Sequence, residues 1–194
     1  SNNSSFTAIA PTSGIVTWSV VLGNGTITSF NSPTSVVTGL SIGQNIFVWT
    51  VSSGSCPSLS DTIVMNVVAF PAPSNAGIDQ SLCARNTFLA ANLPTIGIGT
   101  WTVITGSGIF ANMNLNTTAV SGLSVGLNTF RWTIANNTCP TTSDDVAIFV
   151  YDDPTGANAG PDKIVINPTT NMNGNIPVVG TGLWSRVSGS GACA

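Results

Sequence analysis

Apolar and polar residues alternate along this chain with a period of two, in short runs. In Thr129–Ile134, Phe130, Trp132 and Ile134 fall on one side, while Thr129, Arg131 and Thr133 fall on the other. Trp101 and Val103 alternate with Thr100 and Thr102 in the same way, and Val146, Ile148 and Val150 make a further run. A period of two is that of a strand with one buried face. Clusters of Gly, Asn, Ser and Pro separate the runs, and no helical stripe of useful length interrupts them. Short alternating strands with frequent turns over ~80–100 residues predict an all-β, immunoglobulin-like sandwich. In the best-defined stretch, strands are expected near 75–80, 87–91, 100–105, 117–120, 128–135 and 146–151. Trp101 and Trp132 are expected as core anchors on facing sheets.

The pattern recurs. Gly122–Pro140 reads GLSVGLNTFRWTIANNTCP, and 83 residues earlier Gly39–Pro57 reads GLSIGQNIFVWTVSSGSCP. The same offset relates Trp18, Trp101 and Trp184, as well as Pro11, Pro94 and Pro177. It also carries Asn75-Ala76-Gly77 and Asp79 onto Asn158-Ala159-Gly160 and Asp162. A fixed period of this kind is the signature of tandem units. The expected organisation is an immunoglobulin-like repeat lacking its first strand (1–71), a complete one (72–153), and the N-terminal part of a third (154–194). Trp18, Trp49, Trp101, Trp132, Trp184, Phe47 and Phe130 are the expected core anchors. Each buried Trp removes ~150–250 Å² from water, an upper bound of about 4–6 kcal/mol.

The cysteines complicate the picture. Cys83 precedes the second expected strand and Cys139 follows the strand carrying Trp132, so a Cys83–Cys139 bridge within one copy is expected. It would close a 56-residue loop, for which chain entropy assigns roughly 4 kcal/mol. On the same frame the partner of Cys56 lies just upstream of Ser1, outside the chain. Ile166 stands where a third copy would repeat Cys83, and Cys193 stands where the middle copy has Phe110, which leaves its partner open. A Cys56–Cys83 pair joining two copies is the alternative. Four cysteines in a hydroxyl-rich chain point to disulfides and an oxidising compartment.

Composition narrows the chemistry. Only 6% of residues are charged, four Lys+Arg against seven Asp+Glu, for a net charge of −3. Such a surface has no basic patch for phosphates and argues against nucleic acid as a partner. No run of 18 apolar residues exists, so no membrane-inserted helix is expected in this segment. His and Glu are absent, which removes Ser-His-Asp and Cys-His arrangements and most paired-carboxylate chemistry. An enzyme is not expected, and neither is a cofactor. Asp152, Asp153 and Asp162, with Asp79, supply hard oxygens at the joins for a candidate calcium site. The first join has Ala69-Phe70 in place of Asp152-Asp153, which favours solvated linker charge. Thr62, in Asp61-Thr62-Ile63, fits a bacterial O-glycosylation signal. Arg131 is expected to pair with a nearby Asp.

Taken as a set, several motifs carry a resemblance. They are Ala-Gly-Pro-Asp (Ala159–Asp162), Gly-Thr-Trp-Thr-Val (Gly99–Val103), Gly-Ser-Gly (Gly106–Gly108), the run Ser121–Ile134, and Cys139-Pro140. The chain resembles the immunoglobulin-like or PKD-like repeats of giant surface proteins of gliding bacteria, exported by the type IX secretion system. The resemblance implies a cell-surface, extracellular location and a structural part in a fibre or filament used for adhesion, gliding or cell–cell contact. Expected partners are neighbouring repeats and identical chains in a homo-oligomeric, multi-stranded fibre. The rival reading is a carbohydrate- or cell-surface-binding module, for which Phe149 and Tyr151 are the aromatic candidates.

Overall fold

The computed structural model of the protein describes residues 4–191. Among them every regular element is a strand. The chain divides into two compact units. One is built on the chain up to Pro73 with Pro94–Gly99 and Ile134–Thr142; the other is built on Ser74–Leu93, Thr100–Thr133 and the chain from Ser143 onward.

The strands of the first unit are β1 (Ser4–Ser5), β2 (Ile15–Leu22), β3 (Thr26–Ile27), β4 (Val36–Thr38), β5 (Gly43–Ser52) and β6 (Leu59–Val67). They form two three-stranded sheets, ordered β1-β4-β3 and β2-β5-β6. Between the sheets lie Phe6, Trp18, Ile27, Val37, Leu40, Phe47 and Trp49. Trp18 and Trp49 stand directly opposite each other on β2 and β5, with ring centroids 4.8 Å apart. Phe6 stacks on Trp18 at 4.1 Å and meets Phe47 edge-on at 5.0 Å. Both are arrangements that aromatic rings favour.

The middle stretch carries β7 (Gln80–Leu82), β8 (Asn86–Ala90), β9 (Ile98–Thr105), β10 (Ile109–Phe110), β11 (Thr117–Ser121), β12 (Gly126–Ala135) and β13 (Thr142–Val150). Its sheets are β10-β11-β8 and the four-stranded β7-β13-β12-β9. Strand for strand this is the first architecture moved by 83 residues, with β7 added. Asn128, Phe130, Trp132 and Ile134 are fully buried along β12, and Val146, Ile148 and Val150 along β13, as strands with one covered face require.

Three expectations are corrected. Trp101 and Trp132 do not face each other across the sandwich. They sit on the neighbouring strands β9 and β12 of one sheet, with centroids 5.1 Å apart. Alternation assigns a residue to a face, but it does not say which strands become neighbours. Second, residues 75–79 form no strand: the first strand is Gln80–Leu82, laid parallel on β13 with Leu82 opposite Val150. Third, Trp184 is not a core residue, being 42% exposed. No strand forms among described residues 152–191. The local turn still forms there. Asn158 N–H donates to Asn175 Oδ1 and Gly160 N–H to Asn158 Oδ1, each at 2.8 Å. Asn75, Asn92 and Gly77 make the same two bonds at the same lengths.

Candidate functional site

The most densely bonded polar site is one that alternation conceals, the buried amides Asn45 and Asn128. Both lie on the inward face of their strands and are 0% exposed. Asn128 Oδ1 accepts from the N–H groups of Ser107 (3.0 Å) and Ser124 (3.1 Å) and from Ser124 Oγ (2.8 Å). Its Nδ2 donates to the carbonyls of Ser124 (2.8 Å), Gly126 (3.2 Å) and Ile148 (3.4 Å). Asn45 repeats this with Ser41, Gly43 and Met65. A buried amide is tolerated only when its donors and acceptors are satisfied, and here one side chain ties two turns to the neighbouring strand β13. The Gly-Ser-Gly motif follows from the same packing. A Cβ on Gly106, whose φ is +76°, would stand 2.4 Å from Asn128 Oδ1. A Cβ on Gly108 would stand 2.7 Å from the Phe130 ring. The available signal was the recurrence of Asn at the 83-residue offset on a face otherwise apolar.

The acidic residues act as fasteners for the segment leading into β7. Asp144 Oδ2 accepts the N–H of Ala76 at 2.8 Å, and Asp79 Oδ1 accepts that of Ala147 at 2.8 Å. The segment is thereby tied to β13 on both sides, and Ala76 becomes 1% exposed. Arg131, on the outer face of β12, makes a two-pronged bond to Asp145 on β13, with Nε to Oδ1 at 2.7 Å and Nη2 to Oδ2 at 2.8 Å. The Arg131 hydrogen bond, helped by its charge and opposed by partial burial, holds the Asp145 carboxyl below its usual value. Asp145 in turn raises the Arg131 pKa. Asp152 is 3.6 Å from Arg85 in an exposed ion pair, and Asp153 donates its N–H to Asp152 Oδ1. Among the described residues no three of His, Cys, Asp and Glu gather in a group able to hold a metal. Asp152, Asp153 and Asp162 therefore do not converge on a calcium site.

The expected Cys83–Cys139 bridge is not formed; both thiols are free, as is Cys56. Position explains this. Cys83 follows Leu82, which pairs with Val150 at the last residue of β13. Cys139 lies three residues before Thr142, where β13 begins. The two cysteines are thus separated by the length of a nine-residue strand, about 25 Å at ~3.3 Å per residue. A disulfide needs Cα atoms within about 7 Å. Cys193 lies outside the described residues.

Thr62 is exposed on β6, its N–H bonded to the Asp61 carboxylate at 2.9 Å. Phe149 and Tyr151 meet edge to face at 4.9 Å and remain 41% and 55% exposed. No helix is long and apolar enough to cross a membrane among the described residues.

No protein-family model and no curated protein sequence matches this chain. Solved structures with related folds include the PKD domain from KIAA 1837 protein, at 22% identity and a TM-score of 0.37, covering 58% of this chain and 98% of that one. The fibronectin(III)-like modules of Clostridium thermocellum CbhA match at 12% identity and a TM-score of 0.35, covering 78% and 86%. The N-terminal four Ig domains of Dscam1 match at 11% identity and a TM-score of 0.41, covering 78% and 41%.

Proposed function

We propose that this chain is a structural segment of an extracellular, cell-surface fibre, built from tandem β-sandwich copies and serving adhesion, gliding or cell–cell contact. The observation that carries this reading is the repetition of a whole core. Trp18, Phe47, Trp49 and Asn45 recur 83 residues on as Trp101, Phe130, Trp132 and Asn128, in strands of the same order. A unit that repeats its interior in this detail, and whose polar residues serve the backbone, extends length cheaply because each copy contacts its neighbours alone. The motif resemblance supports export by the type IX system and assembly of identical chains into a multi-stranded filament. A surface solubilised by hydroxyls and amides, with few charges, allows such chains to lie together without much repulsion. No catalytic role is assigned.

Electron microscopy of producing cells, with antibodies raised against this chain, tests the reading. Label running along threads or ropes that leave the cell surface is the expected result. Label on compact particles, or inside the cell, would overturn it. The exposed Phe149–Tyr151 pair favours the second reading, a carbohydrate-binding module, because sugars stack on such rings. Glycan binding that disappears in Tyr151→Ala would establish it.

A further inference from the structure

The three described cysteines are free, yet their positions are not random. Cys139 Sγ lies 3.5 Å from the carbonyl oxygen of Ala69 and 3.9 Å from that of Val68. Asn136 Nδ2 donates to the same Ala69 oxygen at 2.8 Å, so the turn carrying Cys139 is fastened to the end of the first copy. Moved forward by the 83-residue offset, Val68 and Ala69 become Tyr151 and Asp152. In the middle copy that strand end is flanked by Cys83. Val150 pairs with Leu82, and Tyr151 N–H donates to the Leu82 carbonyl at 2.8 Å. Adjacent parallel strands lie about 4.8 Å apart, which places the Cys83 position one strand spacing from residue 151. The Cys83 position of one copy and the Cys139 position of the next therefore flank the same residue pair. Exposure agrees. Cys139, with Val68 and Ala69 beside it, is only partly exposed, whereas its counterpart Cys56 is exposed.

We propose that the cysteines of this repeat cross-link successive copies, the Cys83 position of one copy bonding to the Cys139 position of the copy that follows. The bond forms by thiol–disulfide exchange with a disulfide oxidant. One cysteine thiolate attacks the oxidant and releases one of its halves as a thiol. The second thiolate then displaces the other half, leaving the new S–S bond. The two cysteine protons end on the two released thiols. A fibre joined this way would carry a covalent bond across every join where both cysteines are present. The missing cysteine at Ile166 predicts a join without one. The inference takes only its oxidising compartment from the function proposed above, and its pairing is tested without reference to location.

The test uses the full chain extended at its N-terminus by a duplicate of residues 72–83. Cys83 directly precedes Ala84, the counterpart of Ser1, so the duplicate stays in frame. After equilibration with oxidised glutathione, the disulfides are mapped by non-reducing digestion and mass spectrometry. The expected product joins the added cysteine to Cys139 with a loss of about 2 Da, two hydrogen atoms. It should persist in Cys56→Ser and disappear in Cys139→Ser. A bond from the added cysteine to Cys56, the within-copy pairing, would overturn the proposal. So would a bond to Cys83, or full alkylation of the added cysteine and Cys139 after oxidation.

Discussion

The first and middle copies carry the same core side chains but close that core differently. In the middle copy the segment leading into β7 is sewn to β13 by Asp144 and Asp79, and Trp101 and Trp132 are both 0% exposed. In the first copy β6 has no such partner among the described residues. Asp61, the counterpart of Asp144, accepts only the N–H of its neighbour Thr62 among the bonds seen. Trp18 and Trp49 rise to 5% and 7% exposed and line an open groove of about 490 Å³ with Ala8, Val51 and Ile63. Six strands are common to the two sandwiches, and in the middle copy the leading segment adds β7 beside β13. The third stretch completes the gradient. It has the same Asn turn but no strands among its described residues, so local sequence is enough for the turn.

The largest expected effect contrasts two equivalent tryptophans. Trp132→Ala empties the centre of the middle copy and should destabilise it by about 3–5 kcal/mol. Trp184→Ala, at a half-exposed position, should change stability by less than about 0.5 kcal/mol. Urea unfolding followed by Trp fluorescence measures both, and a comparable loss in Trp184→Ala would erase the distinction. Next in size, Asn128→Ala leaves the Ser107 and Ser124 N–H groups without their acceptor. It should cost about 2–3 kcal/mol, and Asn45→Ala should act in the same direction in the first copy.

These two cases mark what the sequence makes legible. The burial of Phe130, Trp132 and Ile134 is readable from alternation, because side chains on a strand must take one face or the other. Asn128 sits on the same inward face, and polarity alone places it wrongly; its role depends on backbone groups of two turns, one just before β12 and one at Ser107. The Trp pair was readable as core but not as neighbours on one sheet. The cysteine pairing failed for a related reason, since loop length along the chain says nothing of which end of β13 each thiol occupies. Ala76 recurs with its neighbours as Ala159, but nothing in that recurrence signals burial. A single methyl, buried by a segment without regular structure, has no periodicity to betray it.

Smaller effects sharpen the comparison of the sealed and open copies. Asp144→Ala leaves the buried Ala76 N–H unpaired and should cost about 1–3 kcal/mol, while Asp61→Ala should cost under about 0.5 kcal/mol. Equal losses in urea midpoints would mean that the leading segment does not seal the middle copy. The smallest effect is that of the Arg131–Asp145 pair. Arg131 lowers the folded-state pKa of Asp145, so the pair's contribution is complete above the ordinary aspartate value of about 4. It is lost as pH falls through the lowered value. The gap in thermal midpoint between the wild type and Arg131→Ala should therefore be constant near neutrality and close in acid. A gap that widens in acid would contradict the assignment.

Hydrogen exchange on Trp132→Ala tests most directly whether each copy holds its own interior. Amides of β12 and β13 should lose protection in this variant, while those of β2 and β5, around Trp18 and Trp49, keep theirs. Loss of protection in both sets together would show one shared core and contradict the account.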